Sequence, residues 1–353
     1  MNKITDRIYN VGVCEYNSYL VVDEKVALID TVPERLDSEL VANIEAIVPV
    51  SKIDYIICNH TEPDRSGAIS YILKRNPNAT IVGTIAALKN LHKMLNTEFN
   101  ELLAKDSSSL SLGKCELKFI ITPNLNWPDT MMTYLEMEKA LFTCDFLSSQ
   151  ESLVDYFNMK FSAFKPFVRL ALEKLKALDF DKVLCGNGAI ILNNIEEALK
   201  SYHKLSEESD NAVKKISIVY YSEYGYTRKL AEAAFSVIDK AKYSVGIYEA
   251  SECSADVIEA SDGILIGTPT VNRNAVKPIW DLITSLDLIK AKNKSFGVFG
   301  SYGWSGEGPS LVNNLLKSMR LNTTDEPFTV ILNPDADSIE NMKAYTKEFL
   351  DNL

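Results

Sequence analysis

Histidine is scarce in this 353-residue sequence, which has only His60, His92 and His203. Neutral imidazole is the commonest side-chain ligand of transition metals in proteins. Three histidines cannot furnish a metal centre that needs four. This shortage excludes such a centre whatever the fold.

Cysteine is also sparse, and its six occurrences are scattered: Cys14, Cys58, Cys115, Cys144, Cys185 and Cys253. None forms a CxxC pair, and no tandem spacing of the zinc or iron–sulfur kind occurs. The pattern favours reduced thiols in a reducing compartment.

Long apolar runs and excess positive charge are both missing. The net charge is −11, whereas nucleic acids and anionic membranes attract basic surfaces. No segment approaches the roughly 20 apolar residues of a membrane span, and the N-terminus has no signal-like apolar run. We therefore expect a cytoplasmic protein without nucleic-acid or membrane partners. The 46% hydrophobic content allows two well-packed domains.

The first part of the chain, residues 1–207, begins with short strands and continues with alternating strands and helices. Ile53 to Cys58 is typical of a buried strand, and it ends in a polar segment, residues 59–65. This order predicts an αββα sandwich. An acidic, polar stretch from Ser206 to Asn211 is expected to be the linker.

Residues 208–353 alternate strictly between strand and helix. Five predicted strands with intervening helices indicate an α/β, doubly wound, five-stranded parallel sheet. Ligands of such sheets bind beyond the carboxyl ends of the strands. Three loops there carry hydroxyls, glycines and aromatic side chains suited to a phosphate and a planar ring. Their candidate cofactor-binding residues are Ser222, Glu223, Tyr224, Gly225, Tyr226 and Thr227; Pro269, Thr270, Val271, Asn272 and Arg273; and Ser301, Tyr302, Gly303, Trp304, Ser305 and Gly306.

The first of these loops resembles the phosphate-binding loop of the flavodoxin family, which has the form Ser/Thr-x-x-Gly-x-Thr. The resemblance covers the chain from Lys215 onward and implies that the cofactor is FMN. The third loop, residues 299–306, is similar to the version found in flavodiiron proteins.

The N-terminal part carries the same narrower resemblance. Residues 59–64, Asn-His-Thr-Glu-Pro-Asp, match the start of the flavodiiron motif His-x-Glu-x-Asp-His, which lies in a metallo-β-lactamase-like domain. The resemblance implies metal ligands at His60, Glu62, Asp64 and a bridging Asp145. It also implies histidines at three positions where this chain has Arg65, Asn126 and Asn187.

These replacements predict that the di-iron centre is lost or reduced, since an amide oxygen is a weak ligand and a guanidinium cannot ligate. We interpret Arg65 as a fixed cation that keeps the nearby carboxylates ionised. An ordinary surface arginine is the alternative. His60 could be either a metal ligand or a hydrogen-bonded core histidine. A further alternative is a single metal ion bound by His60, Glu62 and Asp145. The loop formed by Cys14, Glu15 and Tyr16 is shorter than in the family.

The sequence thus predicts an FMN-dependent electron-transfer oxidoreductase of flavodiiron type, with no catalytic residue identified. Two other hypotheses are an oxygen or nitric oxide reductase with an unusual metal centre, and a non-catalytic partner of a complete flavodiiron protein. The resemblance also implies a head-to-tail homodimer and a redox partner such as rubredoxin or a reductase.

Overall fold

The computed structural model describes residues 2–148, 152–207 and 213–353. The chain forms two compact units, residues 1–208 and 209–353. The predicted boundary between residues 207 and 208 stays a prediction, because residues 208–212 lie outside the described ranges.

The first unit contains two sheets. Seven strands form the first in chain order: Asn2–Lys3 (β1), Ile8–Asn10 (β2), Tyr19–Val22 (β3), Val26–Ile29 (β4), Ile53–Ile57 (β5), Thr80–Gly83 (β6) and Asn100–Leu103 (β7). Pairing is antiparallel from β1 to β4 and parallel from β4 to β7. Five strands form the second, in the order β12-β11-β10-β9-β8: Ser109–Ser111 (β8), Glu116–Ile121 (β9), Met131–Leu135 (β10), Ala140–Cys144 (β11) and Lys182–Cys185 (β12).

Helices cover the outer faces of both sheets. They span Asp37–Glu45 (α1), Pro63–Ser66 (α2), Ile69–Leu73 (α3), Ile85–Leu95 (α4), Leu153–Lys160 (α5), Lys165–Leu175 (α6) and Ile195–Ser206 (α7). Alternate residues of β5 show the layering: Ile56 packs with the α1 and α3 side, whereas Ile57 packs between the sheets beside Phe119 of β9. Strand periodicity therefore divides the apolar side chains between two cores, as an αββα sandwich requires.

Six of these strands and helices were not predicted from the sequence: β1, β7, β8, α2, α5 and α7. All residues of β7 are exposed, so no apolar run marked the strand. The predicted linker was wrong at its start. Ser206 is the buried last residue of α7, where its Oγ donates to the carbonyl oxygen of His203 at 2.7 Å. The linker residues 208–211 lie outside the described residues.

The second unit is a parallel sheet of six strands: Lys215–Tyr220 (β13), Ser244–Glu249 (β14), Gly263–Gly267 (β15), Ser295–Tyr302 (β16), Asn322–Thr323 (β17) and Phe328–Ile331 (β18). The order is β14-β13-β15-β16, and both β17 and β18 pair with β16. The sequence predicts one strand beside β16 at this edge of the sheet. The structure has two short strands there, β17 and β18, and this accounts for the sixth strand. Core side chains lie on both faces of the sheet.

The helices of this unit are Tyr226–Val237 (α8), Ala255–Glu259 (α9), Lys277–Thr284 (α10), Leu288–Ala291 (α11), Glu307–Ser318 (α12) and Ala336–Asp351 (α13). Within the described ranges, no helix combines the length and apolar character needed to cross a membrane.

Candidate functional site

The polar segment after β5 is held in place by two buried carboxylates from other loops. Asp30 accepts hydrogen bonds from the backbone N–H and the side-chain amide of Asn59, at 2.8 and 2.9 Å. Asp129 accepts from both the N–H and the hydroxyl of Thr61 at 2.8 Å. Because the backbone donors are satisfied in this way, the segment can lie buried in an irregular conformation.

Arg65 lies at the centre of the site and is fully buried, so it is not a surface arginine. Pro63 begins the short helix α2 at a position where a missing N–H costs nothing. Thr31 then fixes the turn, since its N–H and hydroxyl both donate to the carbonyl oxygen of Arg65, at 2.7 and 2.8 Å. The guanidinium donates through Nη1 to the carbonyl oxygen of Gly186 at 2.7 Å, and through Nη2 to Oδ1 of Asp145 at 3.0 Å.

Asp145 follows β11 and is also buried. The preceding residue, Cys144, has a left-handed backbone conformation (φ 53°), which ends the strand with a sharp change of direction. The phenol of Tyr156 on α5 donates to the carbonyl oxygen of Asp145 at 2.9 Å. Asp145 is therefore fixed through its main chain as well as its carboxylate.

The two asparagines at expected histidine positions behave differently. Asn126 Nδ2 lies 3.3 Å from Oδ2 of Asp145 and 3.5 Å from Oε2 of Glu62. The observed contacts of Asn187 are made by its backbone carbonyl, which accepts from Ser148 Oγ at 2.8 Å. Its own Oδ1 is buried and has no hydrogen-bond partner. Of the two asparagines, only Asn126 therefore contacts the carboxylates.

Two residues that sequence reasoning missed contribute to the pocket. Lys160, at the end of α5, places Nζ 3.4 Å from Oδ2 of Asp145 and 3.5 Å from Oε2 of Glu62. The ring centroid of Tyr16, in the short loop after β2, lies 5.7 Å from Cζ of Arg65, within cation–π range. No local motif marks Lys160, because α5 itself was not predicted. The sequence shows that the loop at residues 14–16 is short, but it does not show which side chain of the loop faces the site.

His60 is fully buried and has three polar or aromatic neighbours. Nε2 lies 3.4 Å from Oε2 of Glu62, and Nδ1 lies 3.3 Å from Sγ of Cys144. The ring stacks on Trp127, with centroids 5.9 Å apart and planes 8° from parallel. The potential ligand atoms of His60, Glu62 and Asp64 lie within 4.8 Å of one another.

Electrostatics distinguish the three carboxylates. Burial raises the pKa of Asp145, but the charges of His60, Arg65 and Lys160 outweigh it and lower that pKa well below its usual range. His60, whose Nε2 is 3.4 Å from Oε2 of Glu62, lowers the pKa of that carboxyl most, and the charge of Lys160 lowers it further. Burial instead raises the pKa of Asp64, whose Oδ2 is 3.9 Å from Arg65. The predicted lowering by Arg65 therefore holds for Asp145, whereas at Asp64 burial outweighs the effect of the same guanidinium.

The other two histidines lie away from the cluster around Arg65, whereas the neighbouring cysteines are buried beside it. His92 in α4 and His203 in α7 contact surface glutamates, Glu101 at 2.9 Å and Glu207 at 3.3 Å. Cys58, Cys144 and Cys185 are buried free thiols. Burial raises the pKa of the Cys58 and Cys144 thiols, which disfavours a thiolate site.

In the second unit, the three predicted cofactor loops follow β13, β15 and β16, which are adjacent parallel strands. Their carboxyl ends therefore share one edge of the sheet. The loops contact one another: Thr227 and Ser301 hydroxyls are 2.9 Å apart, and the N–H of Thr270 donates to the carbonyl oxygen of Ser301 at 3.1 Å. Thr270 Oγ1 also accepts from the N–H of Gly308 at 3.0 Å.

The first loop leads into the start of α8. Gly225 is the N-cap with φ 83°, a conformation suited to glycine, and it has no side chain with which to cap the helix. An anion is favoured at such a terminus. Ser222 Oγ accepts the N–H of Arg228 at 3.2 Å and closes the loop.

Two aromatic side chains in the loops are almost wholly exposed, Tyr224 at 82% and Trp304 at 100%. A cleft of about 570 Å³ lies between the first two loops and is lined by Glu223, Tyr224 and Val271, among others. The second loop is shaped by left-handed backbone at Asn272 and Arg273. Of the third loop, Ser301 and Tyr302 belong to β16 itself, and Gly303 to Gly306 lie beyond it.

Comparison with known families identifies both units. The family model described as ODP family beta lactamase matches residues 14–182, and the flavodoxin model matches residues 218–340. The flavodoxin match supports FMN as the cofactor. Rubredoxin oxygen:oxidoreductase from Desulfovibrio gigas has the same fold, with a TM-score of 0.71, 23% identity, and coverage of 99% of this chain and 98% of that one. The α/β fold predicted from the sequence is thereby confirmed.

Two relatives extend over nearly the whole chain. Flavo-diiron protein FprA2 of Clostridium acetobutylicum is 33% identical over an alignment of 397 positions, gaps included, which covers 99% of both chains. Type A flavoprotein fprA of Rhodobacter capsulatus is 32% identical over an alignment of 366 positions, gaps included, which covers 96% of this chain and 84% of the relative. The chain therefore belongs to the flavodiiron protein family, a family of electron-transfer oxidoreductases.

Proposed function

We propose that this protein is an FMN-dependent electron-transfer oxidoreductase in which the chain's own cation replaces iron at the former metal centre. The observation that carries the proposal is the buried pair of Arg65 and Asp145, with Nη2 and Oδ1 3.0 Å apart. The guanidinium lies against the carboxylate that would bridge two irons.

Two irons do not fit the residues present. Among the seven family ligand positions, His60 is the one imidazole, and Arg65 is a permanent cation that repels a metal ion. Asn126 offers an amide whose Nδ2 faces two carboxylates as a donor, so its position supplies no metal-binding nitrogen. Oxygen or nitric oxide reduction at a di-iron centre is therefore not assigned to this chain.

FMN does fit the second unit. The first turn of α8, whose N-cap is a glycine, together with the hydroxyls of Ser222 and Thr227, suits a phosphate monoester. The exposed rings of Tyr224 and Trp304 are available to cover a planar ring system. We assign the second loop, Pro269 to Arg273, and the third, Ser301 to Gly306, to the sides of that ring. A bound FMN would supply the one- and two-electron chemistry, while the protein holds and orients it.

The assembly and partners follow from family membership. We propose a cytoplasmic head-to-tail homodimer that receives electrons from a small redox protein or a reductase. Rubredoxin is one candidate, because the structural relative from Desulfovibrio gigas is named a rubredoxin oxygen:oxidoreductase. The acidic character of the chain, with net charge −11, favours a partner with a basic docking face.

A second candidate is a reductase with one metal ion. The proximity of potential ligand atoms in His60, Glu62 and Asp64, all within 4.8 Å, favours it. Against it stand Arg65 and Lys160, which already neutralise the same carboxylates. A third candidate is a non-catalytic partner of a complete relative. That role would give the FMN loops no function.

One preparation separates these candidates. The protein is purified from iron-supplemented cells, and its flavin absorbance and its metal content are measured on the same sample. We expect one FMN per chain and less than stoichiometric iron or zinc. One metal per chain would favour the second candidate, and two irons would overturn the proposal. Failure of the flavin-loaded protein to accept electrons from NADH with a reductase, or from reduced rubredoxin, would favour the non-catalytic partner.

A further inference from the structure

Lys160 takes up a position that the proposed function does not by itself require. It is the last residue of α5, a helix capped at its start by Ser152, whose Oγ accepts the N–H of Asp155. The ammonium group lies between two carboxylates, 3.4 Å from Asp145 and 3.5 Å from Glu62. Only 18% of the side chain is exposed.

The carboxylate of Asp145 divides its oxygens between two cations. Oδ1 faces Nη2 of Arg65 at 3.0 Å, and Oδ2 faces Nζ of Lys160 at 3.4 Å. Asp64 lies 3.9 Å from Arg65, and Glu62 lies 3.5 Å from Lys160 and 3.4 Å from the ring of His60. Asp145 thus lies between two cations, and each cation also contacts a second carboxylate. A two-metal site has the same arrangement, with metal ions in place of the two cations.

We propose that Lys160 takes the place of the second metal ion, so that Arg65 and Lys160 together form an internal, protein-supplied substitute for the two-metal centre. This inference rests on the proposed function, because it assumes that iron is absent. It assigns to α5 the role of delivering the second cation to the pocket.

Charge balance supports the assignment. Three carboxylates converge here, and burial of the one that is fully buried, Asp145, would cost several kcal/mol without a counter-ion. Two fixed cations offset two of the three carboxylates, and the ring of His60 lies beside Glu62, with Nε2 3.4 Å from Oε2. Burial opposes the charge on Lys160, but Asp145 and Glu62 outweigh it and raise its pKa. The lysine therefore stays charged in the pocket.

An ordinary ion pair elsewhere in the same unit gives a comparison. Lys174 on α6 lies 2.9 Å from Asp106, but the two side chains are 39% and 51% exposed and face no second carboxylate in the observed contacts. Such a surface pair contributes little to folding. Lys174→Met is thus a matched control for Lys160→Met.

The test is titration of the FMN-loaded protein with Zn²⁺ by isothermal calorimetry. For Lys160→Met we expect one Zn²⁺ per chain, bound at least about a hundredfold more tightly than by wild type, because removing a cation this close lifts a large repulsion. Lys174→Met and the charge-preserving Lys160→Arg should behave as wild type. Adding His60→Ala to Lys160→Met should abolish the new binding.

Thermal unfolding supplies a second readout. Lys160→Met should unfold at a lower temperature than wild type and recover on addition of Zn²⁺, whereas Lys174→Met should show neither effect. Lys160→Gln, which is polar and uncharged, should give the same two results if Lys160→Met does not fold. Zn²⁺ affinities of both uncharged variants equal to wild type would overturn the inference. Two irons in the wild-type protein would instead overturn the proposed function, whatever the variants do.

Discussion

Arg65 and Asp145 form a fully buried ion pair, with Nη2 and Oδ1 3.0 Å apart, between two segments 80 residues apart in sequence. Such a pair is costly to form but much more costly to break, because the remaining partner is left as an uncompensated buried charge. The pair therefore makes folding of the first unit depend on both residues.

Replacing Arg65 by Met should lower the free energy of unfolding of the first unit by about 3–5 kcal/mol. The lost guanidinium leaves Asp145 with Lys160 as its remaining cation and the carbonyl oxygen of Gly186 without its 2.7 Å donor. Urea unfolding followed by circular dichroism measures the change. Arg75→Met is the control, since that arginine is exposed in the same unit. Equal midpoints for the two variants would contradict the prediction.

Gly186 should tolerate no side chain while Arg65 is present. A Cβ at this position would lie 2.8 Å from Cζ and 2.8 Å from Nε of Arg65. We expect Gly186→Ala to cost about 1–3 kcal/mol, as overpacking of a full core does. In the Arg65→Met background the same substitution should cost much less, which a double-mutant cycle in urea measures. A cost that is independent of residue 65 would show that another neighbour causes it.

The site illustrates what the sequence could and could not predict. The family resemblance implied His60, Glu62, Asp64 and Asp145, and these residues follow strands that buried apolar runs such as β5 and β11 mark clearly. Lys160 could not be found in this way, because its helix is short and its partners lie on other elements, far away in sequence. Long-range ion pairs leave no periodic signal in the chain.

The same contrast holds for the pKa values. Proximity of Arg65 in sequence suggested that Asp64 is held ionised, yet the guanidinium turns toward Asp145, and Asp64 Oδ2 is left 3.9 Å away. Burial then dominates and raises the pKa of Asp64. Burial in the folded chain, which the neighbouring sequence does not specify, decided the sign of the shift.

Acid should weaken the first unit through Asp145. Its folded pKa is lowered and its unfolded pKa is about 4, so its contribution to stability is complete above pH 4–5 and is lost as pH falls toward the folded value. The difference in unfolding free energy between wild type and Asp145→Asn should therefore be largest near neutral pH and shrink below about pH 4. Urea unfolding at several pH values measures it. A difference that grows on acidification would have the wrong sign for this mechanism.

Thr227 should contribute to FMN affinity through its hydroxyl. The residue lies in the first turn of α8, is buried, and its Oγ1 is 2.9 Å from the hydroxyl of Ser301 in the third loop. If the phosphate binds at this turn, Thr227→Val removes a hydrogen bond to a charged group, worth about 1.5–3 kcal/mol. FMN should then bind about ten- to a hundredfold more weakly, as measured by quenching of flavin fluorescence on titration of the flavin-free protein.

Ser236→Ala on the same helix provides the control for this measurement. Its hydroxyl donates to the carbonyl oxygen of Ala233 at 2.7 Å, three turns away from the loop, so its loss should leave FMN affinity unchanged. Equal affinities for Thr227→Val and Ser236→Ala would place the phosphate elsewhere. A weakening confined to Thr227→Val, with both variants unfolding at similar temperatures, locates the phosphate at the start of α8 and supports the assignment of the adjoining loops to the flavin ring.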